Sequence, residues 1–242
     1  MHKLALTTLA ALLMILSIGS VDAQTALETL RARAAASDIK AQLDLAHRLR
    51  DGKGVAKDDA EALRWAHMAA DAGSTDAMDF VGFAYLRGAV VKRNPAIAFG
   101  YFKAAANESA QAAFNLGQCY YGAQGTEQDC AKALEWWKKA AEMGHGRAAA
   151  CAAMAYHSGE GVGRDAAQAR RLAERAAELN NPSGMVLLGE MHFLAGETDA
   201  AIANWTKASK LHPTGTTGHP SQPSDNASAQ QAADLLRLMA YR

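Results

Sequence analysis

The feature that most narrows the folds open to this chain is a self-similarity with a period close to 36 residues, since such a period means stacked copies of one small unit. A small residue following an apolar one recurs in Leu45-Ala46, Val81-Gly82, Leu116-Gly117, Ala152-Ala153 and Leu188-Gly189, with the small residues 36, 35, 36 and 36 positions apart. Three residues after each stands Leu49, Tyr85, Tyr120, Tyr156 or His192. Sixteen residues after the first four small positions come Ala62, Ala98, Ala133 and Ala169, and seven further on Ala69, Ala105, Ala140 and Ala176. The fifth copy keeps the spacing of seven in Ala201 and Ala208, but its connection is four residues shorter. A deletion confined to a loop is what a repeat tolerates.

These spacings describe a helix hairpin. A small residue on one helix and an alanine on the next let two antiparallel helices approach closely, with Trp65, Tyr101, Trp136, Trp137, Leu172 and Trp205 filling the space beside them. Glycines lie between the helices where the chain must turn, at Gly52, Gly54, Gly88, Gly125, Gly159, Gly161 and Gly163. Each second helix opens at Asp58, Asn94, Asp129 or Asp165, residues that accept hydrogen bonds from free N–H groups, and Pro95 follows Asn94 as a preferred first helical residue. One hairpin cannot bury its apolar face, so the units must stack and the ends must be covered.

The segment from Leu116 to Gly144, LGQCYYGAQGTEQDCAKALEWWKKAAEMG, resembles the Sel1-like repeat, the long-loop relative of the tetratricopeptide repeat. The fifth copy, LGEMHFLAGETDAAIANWTKASKLHP, is similar to an ordinary tetratricopeptide repeat. Val90 and Asn94 depart from the usual loop Gly and Asp, and Ala152 departs in the fourth copy. The resemblance implies an all-α fold, a right-handed α/α superhelix of about five hairpin repeats with terminal capping helices, whose first helices line a concave face.

The ends extend this organisation. Met-His-Lys, the apolar run from Leu4 to Ile18 and the small-residue spacing of Val21-Asp22-Ala23 read as a signal peptide over residues 1–23, too short to span a bilayer. Its cleavage would place the chain across the inner membrane, in a bacterial periplasm, with no stable membrane insertion. Residues 24–37, with Leu27 and Leu30, are expected to form an N-terminal capping helix, and residues 38–212 the five repeats. A Pro-, Gly-, Ser- and Thr-rich linker is expected over 213–226, then a helix over 227–242 with Ala232, Leu235, Leu236 and Met239 on one face. That helix either folds back to cap the last hairpin or docks on a partner or a second copy.

Chemistry is sparse. Lys plus Arg and Asp plus Glu each total 25, so no net field draws the chain to nucleic acid or an anionic surface. His47, His67, His145, His157 and His192 fall singly in different units, with no metal-ligand spacing, and no metal or cofactor is expected. Gly159-Glu160-Gly161-Val162-Gly163 lacks the strand and the Lys-Ser/Thr pair of a phosphate loop and reads as a turn. Some Sel1-like proteins have been labelled β-lactamases, but no Gly-x-Ser-x-Gly or Ser-x-x-Lys nucleophile motif is present, so the chain reads as non-enzymatic and a hydrolase is the least favoured reading. Of Cys119, Cys130 and Cys151, the first two lie near the adjoining ends of an antiparallel pair, and a Cys119–Cys130 disulfide is expected, leaving Cys151 as a thiol.

A second stripe at i, i+4 and i+7 recurs on each first helix, on a different face from the residues that meet the hairpin partner. It contains Asp79, Phe83 and Leu86; Phe114, Gln118 and Tyr121; Met154 and His157; Glu190 and Phe193. By resemblance this face lines the concave groove, and the expected partner is another protein or peptide. The alternative for Phe83, Leu86, Phe114 and Phe193 is packing between hairpins. Two functions use the same groove: an adaptor or regulator in the periplasm, or an immunity protein neutralising a toxic effector.

Overall fold

The computed structural model describes residues 24–211 and 223–240. The expected signal peptide and the expected linker as far as residue 222 lie outside the described residues. Every regular element described is a helix: α1 (24–35), α2 (Ile39–Asp51), α3 (Asp59–Asp71), α4 (Thr75–Arg87), α5 (Pro95–Ala105), α6 (Ala110–Tyr121), α7 (Cys130–Glu142), α8 (Gly146–Ser158), α9 (Ala166–Glu178), α10 (Pro182–Leu194), α11 (Thr198–Lys210) and α12 (Pro223–Ala240). The last begins four residues before the expected start.

The chain forms two compact units, one ending at Asn94 and one starting at Pro95. In the first, α3 packs against both α2 and α4. Helix α1 buries Leu30 and Ala34 while Leu27 stays half-buried. Gln42 Nε2 donates to the Ala34 carbonyl at 3.1 Å, and Arg31 pairs with Glu61 at 2.8 Å, which ties α1 to α2 and α3. In the second unit α6 packs on α7, α8 on α9 and α10 on α11, with α7–α8 and α9–α10 joining consecutive pairs. Helix α12 lies against both α10 and α11, the same relation that α10 has to α8 and α9. It thus occupies the place of a sixth first helix, and Ala232 is buried in a cluster with Met185, Val186, Ala201, Trp205 and Ala208.

The recurring alanines hold the core. Ala62, Ala98, Ala133, Ala169 and Ala201 are completely buried, as are Ala69, Ala105, Ala140, Ala176 and Ala208. The small residues of the first helices are matched in size to what covers them. A Cβ on Gly117 would lie 2.5 Å from the Trp137 ring, and one on Gly189 would lie 2.4 Å from Trp205. Where the small residue is alanine, the position equivalent to those tryptophans is alanine too: Ala46 with Ala66, and Ala153 with Ala173, all buried. Trp136 and Trp137 therefore divide the work. Trp137 is the buried filler, whereas Trp136 is half-buried with Lys139 over its ring.

Two sets of caps repeat with the period. The backbone N–H that opens each second helix donates to the carbonyl three residues past the small position: Asp58 to Leu49, Asn94 to Tyr85 and Asp129 to Tyr120 at 2.9 Å, Asp165 to Tyr156 at 3.0 Å, Glu197 to His192 at 2.8 Å. The carboxylates of Asp58, Asp129 and Asp165 also accept N–H groups in the first turn of α3, α7 and α9. First helices are capped by Asp38, Ser74, Ser109, His145 and Asn181, each accepting from the N–H three residues on. Successive hairpins interlock through their loops in the second unit. Gly125 sits so close to the Pro95 carbonyl that a Cβ would come within 2.2 Å, and Gly161 meets Cys130 at the equivalent point of the next hairpin.

That last contact corrects the cysteine assignment. No disulfide joins Cys119 and Cys130. Although both lie where α6 runs into α7, Cys130 faces the Gly161 loop of the following hairpin, and Cys119 is buried in α6. Burial pushes the Cys119 thiol up to about 12, which makes it an inert core residue. Cys151 is half-buried on α8.

Candidate functional site

The expected stripe splits along its length. Its N-terminal residues Asp79 and Phe114 are closed off at 7% and 4% exposed, and in α4 the middle residue Phe83 is closed off too, at 8%. The reason is clearest at Phe114. His145 stacks on its ring at 4.5 Å and Arg147 covers it at 5.3 Å, both from the start of the next first helix. Phe114 is therefore a packing residue between hairpins. Leu86, at the end of α4, is half-buried, and its carbonyl accepts Arg93 Nε at 3.0 Å.

The C-terminal residues of the stripe remain open in the second unit. Gln118, Met154 and Glu190 occupy equivalent positions on α6, α8 and α10, and Tyr121, His157 and Phe193 occupy the next equivalent row. All are exposed except Glu190, which is half-buried. By the repeat register each row passes from one first helix to the next across three hairpins. Tyr121, Met154 and Phe193 are 39%, 45% and 38% exposed, leaving apolar surface uncovered at three adjacent points.

The polar groups among them have defined partners. The Tyr121 hydroxyl donates to Glu160 at 3.4 Å, and its ring lies 5.4 Å from Trp137. The negative charge of Glu160 holds the phenol above its ordinary range, with burial adding to the effect. Glu190 accepts from the Gln231 amide of α12 at 3.3 Å. Burial raises its carboxyl above the usual range, opposed by the nearby His157. Phe193 leans on Trp205 with ring centroids 5.9 Å apart.

Three further members of this surface escaped the sequence pattern. Leu194, 79% exposed, follows Phe193 at the end of α10 and is outside the i, i+4, i+7 series. Glu160 lies in a glycine-rich turn that carries no periodic signal. Gln231 belongs to a helix outside the repeat register, so spacing could not set it beside Glu190. Among the described residues no three His, Cys, Asp or Glu side chains gather as a metal-binding set. No described helix is long and apolar enough to cross a membrane.

The Sel1 repeat pattern matches residues 39–74, 75–109, 110–145 and 148–181, more than half of the chain. No curated protein matches it. Among solved structures, a Sel1 repeat protein from Oxalobacter formigenes is similar, with a TM-score of 0.72 and 23% identity over 90% of this chain and 95% of that one. A protective antigen of uropathogenic Escherichia coli strains with a Sel1-like repeat fold gives a TM-score of 0.69 and 25% identity over 88% of this chain, which spans only 51% of that protein. A Sel1 repeat protein from Klebsiella pneumoniae gives 0.50 and 18% identity over 88% of this chain and 98% of that one. Boundaries falling at the helix caps, small residues seated under larger ones and these likenesses agree, and the chain belongs to the Sel1 repeat family, with its all-α superhelical repeat fold.

Proposed function

We propose that the chain is a secreted, non-catalytic adaptor or regulator of the periplasm that holds a partner protein on the exposed first-helix face of its second unit. Sel1 repeat proteins are generally protein-interaction modules and typically scaffolds rather than catalysts, which supports the class of function. The observation that carries the site is the double row of equivalent residues on α6, α8 and α10, where Tyr121, Met154 and Phe193 stay open although the same stripes are buried at their N-terminal ends. Apolar groups recurring on one face of a repeat array, rimmed by polar ones, are the usual form of a partner-binding surface.

Site-specific photo-crosslinking in the native cell tests this. A photoreactive residue at Tyr121 or Phe193 should join the chain to one protein of defined mass, while one at the similarly exposed Ile97 of α5 should not. Crosslinks from Ile97 alone would move the site to the second helices. The secretion reading is tested by the mass of the mature chain, which should begin at Gln24.

A further inference from the structure

The exposed face of the second unit carries an electrostatic imbalance that narrows the chemistry of what it holds, an inference that rests on the interaction reading above. Glu190 sits on α10 in the same row as Met154, one helical turn before Phe193. It is half-buried, and among the described residues neither lysine nor arginine pairs with it. Its hydrogen-bond partner is a neutral amide, Gln231 Nε2 at 3.3 Å, and the exposed imidazole of His157 acts on it electrostatically. Glu160, the second carboxylate at this face, is met by the Tyr121 hydroxyl.

Several arginines of the second unit are engaged elsewhere. Arg164 Nε donates to the Ser158 carbonyl, Arg170 pairs with Glu174 and Glu197, and Arg237 pairs with Asp234. A carboxylate withdrawn from water without a charged partner is under-solvated, and a cation brought to it in a desolvated interface gains more than it would at an exposed rim. Met154 in the same row and Phe193 one turn on offer apolar surface to the groups flanking that cation.

We propose that the occupant of this face is an extended peptide segment presenting a lysine or arginine between apolar side chains, its cation seated on Glu190. The converse occupant, an acidic segment, would bring like charge to Glu190.

Selection from a random heptapeptide display library against the immobilised protein tests both parts. Peptides enriched on the wild-type chain should carry a Lys or Arg flanked by apolar residues. Their synthetic forms should bind Glu190→Gln about tenfold more weakly or worse, as expected for a desolvated charge pair. The substitution is isosteric and keeps an oxygen for Gln231, so thermal unfolding should match wild type. Met154→Ala and Phe193→Ala should each weaken the same peptides. Peptides that depend on Met154 and Phe193 but lack a cation, or are indifferent to Glu190→Gln, would overturn the cationic assignment and leave the face intact. Failure to enrich any peptide, or peptides indifferent to Met154→Ala and Phe193→Ala, would overturn the interaction reading and this inference with it.

Discussion

His145 caps α8 with a ring rather than an oxygen. Its Nδ1 accepts the Ala148 N–H at 3.1 Å, which leaves the proton on Nε2, 3.2 Å from Gln111 Oε1. Burial, helped by the charge of Arg147, depresses this histidine from 6.5 to about 4. The folded state therefore favours the neutral ring. Its contribution is complete above pH 6.5 and is lost as pH falls from there through about 4. In urea unfolding the wild-type chain should lose roughly 2 kcal/mol more between pH 7.5 and 4.5 than His145→Asn, a difference that cancels other titrating groups. Asparagine is apt because Asn181 fills the same cap in α10. Parallel pH profiles for the two proteins would show that the cap does not depend on the neutral ring.

A second residue is out of step with its copies. After α2, α4 and α8 the chain passes through the left-handed region at Gly52, Gly88 and Gly159, with φ of 69°, 71° and 82°. After α6 the equivalent residue is Ala123, with φ of 51°. An L-residue there costs about 1 kcal/mol through its Cβ. Ala123→Gly should stabilise the chain by about that amount and raise Tm by roughly 2–4 °C, read by calorimetry. An unchanged or lowered Tm would mean that glycine's extra freedom in the unfolded chain outweighs the relief.

At the scale of the hairpin, the pairing of small with large residues makes a quantitative demand. Gly117→Ala alone drives a methyl into the Trp137 ring and should cost about 1–3 kcal/mol. Trp137→Ala alone opens a cavity and should cost about 3–5 kcal/mol. Trp137 suits this test better than Trp205, whose Nε1 donates to the Val186 carbonyl at 3.3 Å and would confound the cavity cost with a lost hydrogen bond. The double variant recreates the Ala–Ala pair that stands at Ala46–Ala66 and Ala153–Ala173. It should be less damaged than the sum of the singles by at least about 1 kcal/mol in a denaturation cycle. Strict additivity would mean that the ring moves aside at no cost.

The same scale shows what the sequence made legible. The small positions, the alanine columns and the carboxylate caps of the second helices repeat in residue type, so simple spacing finds them. The first-helix caps run with the same period but change identity from Asp38 through Ser74, Ser109 and His145 to Asn181, and a pattern of types does not register them. Phe114 and Tyr121 share one helical stripe. Only the next hairpin, arriving with His145 over Phe114, determines that one is covered and the other open. The cysteines fail for a related reason. Antiparallel pairing fixes how far along the axis Cys119 and Cys130 lie, not the direction each faces around its helix.

For the molecule as a whole, a repeat array is stable only if its terminal apolar faces are covered, and neighbouring repeats supply most of the coupling. Helix α12 gives the second unit its end. Its inner side buries Ala229 and Ala232, with Leu235, Leu236 and Met239 packed against the cluster around Met185 and Trp205. Its outer side carries Gln230, Gln231, Asp234 and Arg237, all exposed, with Leu238 as the one large apolar group among them, and such a mainly polar face offers little to a further layer. A chain ending at Leu211 would leave the apolar surface of α10 and α11 open. Hydrogen exchange should then show α10 and α11 losing protection by about an order of magnitude or more, since the uncovered pair opens locally. The loss should fade over α8 and α9 and be small at α6 and α7, because coupling runs between nearest neighbours. Exposed apolar surface should also make the truncated chain more prone to self-association at high concentration. If truncation changed the oligomeric state of the native protein while protection of α10 and α11 held, α12 would be a docking helix for a second copy rather than the cap its packing describes.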